Sequence, residues 1–495
     1  MAQQRTVLGV DVGTGSTKGV LVDGDGEILR SAVREHQVDR PAPGHVEMDA
    51  DIWWDEFVAI ATELLEPGDA EVAAVGVSGM GPCVLLADED GDPVRPAVLY
   101  GVDTRAGEQI ERLTRELGED EILHRCGSVL TTQAAGPKVA WLRENEPEAY
   151  DRAAKLFMPA SFLAHRLTGA YVLDHHSASQ CTPLYDTAAH EWYRPWAEQI
   201  APGLPLPELA WPGDQAGTVT AEAAARIPGI AAGTPVITGT IDAWTEAISV
   251  DAQNVGDLML MYGTTMFLVA TTDSRTESRT LWGTVGAYEG TYNLAGGMAT
   301  SGAITTWIRD LTGGTDFTTL TREAEESGIG ANGLLMLPYF AGERTPIQDP
   351  DARGTLIGLT LDHGRGDLYR AALEATAFGV AHNVEELRSG GAPIQRVVAV
   401  GGGTQGGLWT RIVTDATGLD QVIPSRTVGA SYGAAVLAAG LLGEVDVAAW
   451  NPPAETLSPD PEAHAAYQER YRLYRDLYPA TRETAHALAE QQRHR

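Results

Sequence analysis

Residues 7–22 read Val7-Leu8-Gly9-Val10-Asp11-Val12-Gly13-Thr14-Gly15-Ser16-Thr17-Lys18-Gly19-Val20-Leu21-Val22. Two apolar, β-prone runs, 7–10 and 19–22, flank a short polar turn and predict a hairpin. Asp11 stands where the first strand ends. Gly13 and Gly15 admit backbone angles closed to other residues. Thr14, Ser16, Thr17 and Lys18 bring hydroxyls, amides and one cation to the turn. Such a turn either closes an ordinary glycine-rich hairpin or cradles phosphate, with the Asp11 carboxylate beside it to hold a hydrated Mg2+.

A second copy stands at 256–271, Gly256-Asp257-Leu258-Met259-Leu260-Met261-Tyr262-Gly263-Thr264-Thr265-Met266-Phe267-Leu268-Val269-Ala270-Thr271. Again two apolar runs embrace a Gly-Thr turn. Ala74-Val75-Gly76-Val77-Ser78-Gly79-Met80-Gly81 likewise parallels Ala399-Val400-Gly401-Gly402-Gly403-Thr404. Both read as an apolar strand ending in a small-residue loop. The repetition predicts a duplicated α/β domain, with one phosphate turn from each half facing a shared cleft. Thr14, Gly263 and Thr264 then offer amides and hydroxyls to phosphate oxygens from both sides.

The rest of the chain alternates helix and strand patterns. A third strand is expected at 28–33, a helix from 49 to 65 and a strand at 72–77. A helix-rich stretch covers 103–170, a strand falls at 235–238, and the last strands fall at 397–400 and 421–424. A helix begins near 460, and Tyr467, Tyr471 and Tyr474 share one of its faces, as packing residues do. With 495 residues, 43% of them hydrophobic, there is room for two domains. No apolar run reaches membrane-spanning length, and no signal peptide precedes the first strand. Cys83, Cys126 and Cys181 are far apart and read as free thiols in a reducing cytoplasm.

Asp and Glu number 68 against 35 Lys and Arg, a formal net charge of −33. That surface argues against nucleic acid and anionic membranes as partners. Only three lysines occur, Lys18, Lys138 and Lys155. Acid excess with few lysines fits a halophilic cytoplasm, and it also fits codon bias in a GC-rich genome.

Three further segments carry candidate chemistry. Asp242 follows the 236–240 strand and precedes a helix pattern, where an aspartate serves either as a cap or as a general base facing a cleft. The 401–407 loop has the Gly-x-Gly-x-x-Gly spacing of dinucleotide sites, but lacks their position early in a βαβ unit. Asp174-His175-His176 has no companion metal motif and reads as a loop near the cleft. Lys18 is either a phosphate contact or a surface lysine.

Several of these segments together resemble the FGGY carbohydrate kinases of the sugar kinase–Hsp70–actin superfamily, and most of all their xylulokinase-like branch. The 11–18 turn resembles the family's first phosphate motif. Gly239-Thr240-Ile241-Asp242 resembles the segment bearing its catalytic aspartate, and Gly263-Thr264-Thr265 its second phosphate turn. The stretch 401–409 resembles its adenosine loop. Gly354-Thr355-Leu356-Ile357-Gly358-Leu359, followed by Asp367-Leu368-Tyr369-Arg370-Ala371-Ala372-Leu373-Glu374, fits its C-terminal signature. Lys138-Val139-Ala140-Trp141-Leu142-Arg143-Glu144-Asn145 fits the core of its N-terminal signature, and Glu343-Arg344-Thr345-Pro346 its Glu-Arg-x-Pro segment.

The resemblance implies two ribonuclease H-like domains of the actin/hexokinase/Hsp70 type around an ATP cleft. The first, 1–250, would carry the sugar site, the first phosphate motif and the catalytic aspartate. The second, 251–495, would carry the adenosine and second phosphate motifs. It implies ATP and Mg2+ as cofactors, a small sugar as the other partner, and it allows a homodimer. Asp242 becomes the catalytic base and Asp11 the metal carboxylate. Gly13, Thr14, Gly15, Ser16, Thr17, Lys18, Gly263, Thr264, Thr265, Gly401, Gly402, Gly403, Thr404 and Gln405 become nucleotide contacts. Met80, Gly81, Asp103, Arg105 and Asp242 become sugar contacts. The family's Gln-Met-His-Gly segment is here Gly79-Met80-Gly81-Pro82, without the histidine. Its Trp-x-Asp-x-Arg segment is here Tyr100-Gly101-Val102-Asp103-Thr104-Arg105, with Tyr for Trp and one residue inserted. D-xylulose is the expected acceptor, with another pentulose, a hexulose or a polyol (ribulose, erythrulose, glycerol) as alternatives. A non-enzymatic actin- or Hsp70-like ATPase would need neither Asp242 nor the long signatures. A sugar-responsive repressor would need a basic DNA-binding segment.

Overall fold

The computed structural model describes residues 4–493. The opening hairpin forms from Gln4–Val12 and Ser16–Asp23, in a register that sets Asp11 opposite Lys18. Ile28–Glu35 extends it antiparallel, and Ala70–Gly79 pairs with the other side of Gln4–Val12 in parallel. Pro235–Ile237 follows in parallel and Gln215–Thr218 closes the edge antiparallel. Thr240–Ile241 adds a short parallel pairing to Ala70–Gly79 and completes a seven-stranded sheet.

The second sheet repeats this plan in six strands, without a counterpart of Thr240–Ile241. Asp257–Tyr262 takes the place of Gln4–Val12, with Met266–Thr272 and Tyr292–Met298 antiparallel on one side. On the other, Arg396–Val400 and Gln421–Pro424 run parallel to it and Pro453–Leu457 closes the edge antiparallel. Trp282–Val285 is the one added strand, giving seven. The closing edge strand at Pro453–Leu457 corrects the expectation that the strands end at 424. In the first half the equivalent edge strand precedes its neighbour in the chain, and in the second it follows.

Helices cover the sheets where apolar residues recur at helical spacing. Asp49 caps Ala50–Leu65 by accepting the Asp51 N–H at 3.0 Å, and Trp53, Phe57, Ile60 and Leu64 face inward. The C-terminal helix, Pro461–Arg493, buries Tyr467, Tyr471 and Tyr474 around Phe378, which confirms their packing role. Asp174-His175-His176 is not a loop. Asp174 ends a strand and caps the short helix His175–Ser179, and buried His176 pairs with the Val285 carbonyl of the second half at 2.7 Å.

The halves interlock more closely than a linear division suggests. The helix Ala430–Gly440 lies against Gln4–Val12 and Ala70–Gly79, the central strands of the first sheet. A Cβ on Gly9 or Gly76 would overlap the carbonyls of Ser431 and Ala434, and one on Gly433 that of Thr245. Glycine at these positions lets backbones touch. Thr245 belongs to the helix Asp242–Ser249, so the helix that carries Asp242 and Glu246 crosses the helix Ala430–Gly440 at backbone contact.

Candidate active site

Asp11, Ser78 and Thr240 stand side by side in register at the carboxyl ends of three parallel-paired strands. Asp242 lies two residues further. Ligands of α/β sheets bind outside such strand ends, where helices begin and loops leave room. A cavity of about 330 Å3 opens there, lined by Asp11, Gly13–Ser16 of the turn, Lys18, Asp242 and Glu246. Met261 and Phe267, on either side of the second Gly-Thr turn, form its opposite wall together with 428–430. Gly13 N–H closes the first turn onto Ser16 O at 3.0 Å. The second turn is pinned from below, its Gly263 and Thr264 carbonyls accepting N–H groups of 301–303.

Thr17 is a correction. Its side chain points away from the turn, wholly buried, and its hydroxyl donates to Glu56 at 2.5 Å. Gly263 and Thr264 line none of the cavities described here, while Thr265 faces the acceptor side.

Asp242 occupies the first helical position and Ile241 the cap, so Asp242 does not act as the N-cap. One carboxylate oxygen accepts the Ala243 N–H at 2.7 Å. Burial pushes its pKa up to about 6. Burial and the Asp242 charge push Asp11 up to about 8, and burial lifts Glu246 to about 7 against the pull of Lys18. Asp11 Oδ1 is buried without a hydrogen-bond partner. A divalent cation would satisfy that oxygen and remove the repulsion. Among the described residues no group of three or more His, Cys, Asp or Glu is arranged to hold a metal ion. Mg2+, which takes few protein carboxylates and fills its shell with water and phosphate oxygens, fits this donor set.

A second cavity of about 300 Å3 adjoins the first, and Asp242, Ala243 and Phe267 line both. Its polar lining includes Tyr100, Gln133, Gln180, Thr284 and Arg344, with Trp244 and Trp282 as apolar walls. Gly81 lines it, as expected. Met80 does not: its side chain is buried and its N–H is spent on Val12 O. Asp103 and Arg105 do not either. Their side chains are fully buried in an ion pair of 2.7 Å, with Arg105 also reaching Glu47 at 2.6 Å and Asp103 accepting the Val46 N–H. These residues hold the segment that carries Tyr100, and sequence reading mistook the anchor for the contact.

A third cavity, about 670 Å3, lies over the short helix Gly402–Gly406. Gly402, Gly403 and Gln405 line it beside Phe317, Tyr369 and Trp409. Gly401 and Thr404 do not line it. Gly401, at φ 92°, sits on the backbone of Tyr262, and the Thr404 hydroxyl closes the turn onto Gly401 O at 2.8 Å.

Sequence reading missed Tyr100 as a wall residue, and with it Gln133, Gln180, Trp244, Trp282 and Glu246. Arg344 lay inside a quoted motif without a role. Its neighbour Glu343 is buried, pushed up to about 8, and accepts the N–H groups of Ala299 and Arg344, which fixes the backbone beneath Arg344.

Comparison with known proteins agrees with this geometry. Residues 6–249 match the model for the N-terminal domain of the FGGY family of carbohydrate kinases, and 258–441 that for its C-terminal domain. The chain belongs to the FGGY family. It is 28% identical to the xylulose kinase of Lactococcus lactis subsp. lactis (strain IL1403), over 98% of each chain. It is 30% identical to the glycerol kinase of Nocardia farcinica (strain IFM 10152), covering 90% of this chain and 92% of that one. The crystal structure of xylulose kinase from Rhodospirillum rubrum superposes with a TM-score of 0.91 at 30% identity, over 97% of this chain and 100% of that one. The chain is therefore an ATP-dependent carbohydrate kinase with the duplicated actin/hexokinase-like fold of the FGGY enzymes. No helix among the described residues is long and apolar enough to cross a membrane.

Proposed function

We propose that the chain transfers the γ-phosphoryl group of ATP to a hydroxyl of D-xylulose, giving D-xylulose 5-phosphate. The observation that carries the reading is the place of Asp242, in the wall shared by the turn cavity and the acceptor cavity. A carboxylate there takes the proton from the acceptor hydroxyl as it attacks phosphorus. The 13–16 turn and Lys18 hold the phosphates from the first half, with 263–265 closing from the second. Gly402, Gly403 and Gln405 border the space for adenosine. Asp11 would hold Mg2+, and the bound ion would neutralise charge on the phosphates. Functionally the chain divides at 250/251, sugar and first phosphate turn before it, adenosine after.

A second reading, glycerol or another polyol or pentulose as acceptor, is supported by the missing histidine at 79–82 and by the similarity to a glycerol kinase. We further infer an enzyme of a salt-rich cytoplasm from the net charge of −33. A coupled ADP-release assay over xylulose, ribulose, erythrulose, hexuloses and glycerol tests the substrate. The highest kcat/KM on D-xylulose is expected; glycerol in first place replaces the reading with the second, and no sugar-dependent release overturns both.

A further inference from the structure

Tyr100 touches both halves of the reaction space. Tyr100 lines the acceptor cavity, and its hydroxyl shares a hydrogen bond of 2.9 Å with the hydroxyl of Thr14, which lines the turn cavity. These residues lie 86 positions apart in the chain, so the bond is a built contact between distant segments.

The backbone around Tyr100 is held from several sides. Its carbonyl accepts the Asp103 N–H at 3.0 Å, and Asp103 is locked by Arg105 and Glu47. The next residue, Gly101, gives its N–H to Gln133 at 3.0 Å and takes the Thr132 hydroxyl at 3.1 Å. The 131–133 loop is fixed in turn by buried Lys138, whose ammonium donates to Thr132 O at 2.8 Å. Hence two of the family signatures, around 103–105 and at 138, converge on one tyrosine without entering either cavity. With its backbone fixed at these points, Tyr100 has a set place from which its hydroxyl meets Thr14.

We propose that Tyr100 is a positioning residue that sets the Thr14 side chain in the phosphate turn from within the acceptor cavity, so that an acceptor resting on its ring bears on the seat of the phosphates. This rests on the kinase reading above. It adds a direct link between the two substrates that Asp242 does not supply.

The test is a double-mutant cycle on MgADP affinity, measured by calorimetry without any acceptor. Tyr100→Phe keeps the ring and removes the hydroxyl; Thr14→Val removes the partner. Each is expected to weaken MgADP about fivefold, the worth of one hydrogen bond, and the pair no more than either alone. Thr14→Ser, which keeps the hydroxyl, is expected to restore wild-type affinity. In turnover on the best acceptor, Tyr100→Phe is expected to raise the KM for ATP by a similar factor. Effects that multiply in the double variant, or single variants that bind MgADP as the wild type does, overturn the proposal. Because the cycle needs no sugar, a wrong acceptor assignment leaves its outcome intact.

Discussion

Asp242 and Glu246 stand one turn apart on the helix Asp242–Ser249, and both carboxylates face the cavity that holds Asp11 and Lys18. Three acids stand around one lysine in this cavity; burial raises the pKa of all three, and the Asp242 charge adds to the rise at Asp11 and Glu246. The division of labour among them is open to experiment. Asp242→Asn keeps the shape and the Ala243 hydrogen bond while removing the base, so sugar phosphorylation is expected to fall by at least about 100-fold. MgADP binding should persist. Asp11→Asn should instead raise the Mg2+ concentration needed for half-maximal activity. Sugar-dependent ADP release and calorimetric nucleotide affinity separate the two, and near-normal turnover in Asp242→Asn would remove the base assignment.

The pH profile follows from the same carboxylate. A general base works only when ionised, and burial lifts Asp242 to about 6. The logarithm of kcat/KM is expected to rise with unit slope through the acid range and flatten above about pH 6. A flat profile from pH 5 to 8 would contradict this.

Asp174 supplies a stability test outside the chemistry. It is buried, accepts the Ser177 N–H at 3.0 Å and the Thr240 hydroxyl at 2.7 Å, and is nonetheless pushed up to about 6 from 3.8 by burial. A carboxyl raised on folding contributes stability fully below its unfolded pKa and loses it as pH climbs through the folded value. The window therefore runs from pH 3.8 to about 6. Asp174→Asn keeps the accepting oxygen and the cap while staying neutral. It is expected to equal the wild type near pH 4 and to be more stable above pH 6 by about 2–3 kcal/mol, from the pKa difference. Urea midpoints at both pH values decide it.

Gly433→Ala tests the helix crossing. The added Cβ has no room against the Thr245 carbonyl, so the helices must move apart. A loss of about 1–3 kcal/mol is expected, typical of overpacking. Since Thr245 lies one turn from Asp242, turnover should fall with it. An unchanged melting temperature would show that the crossing yields freely.

Salt should stabilise the chain. With a net charge of −33, self-repulsion is strong in dilute buffer and screened in KCl. The melting temperature and turnover are expected to rise into the molar range. Equal values in low salt would leave codon bias as the source of the acids.

Much of the fold was legible because its signals are local. The strand–turn–strand unit at 4–23 and its copy at 257–272 show in apolar runs and glycines, and their pairing gave the duplication. Asp242 was legible only as an ambiguity, since one residue decides between cap and base, and that depends on Ile241 taking the cap position. The acceptor cavity was not legible. Tyr100, Gln133, Gln180 and Arg344 come from separate segments, and nothing in each segment marks which side chain turns inward. Asp103 and Arg105 were misread for a related reason: a motif records that residues matter and is silent on whether they touch ligand or hold what does.

The helix Ala430–Gly440 has a consequence for how the molecule comes into being. It covers the central strands of the first sheet, yet it is made only after the second half's strands up to Gln421–Pro424. A nascent chain that has emerged through residue 250 has all the strands of that sheet but leaves the glycine-notched face of Gly9 and Gly76 bare. The first half is thus an unfinished surface on the ribosome, with that face of its sheet open to water. It closes only when the second half delivers its helix, and the same event brings the walls of the cleft together.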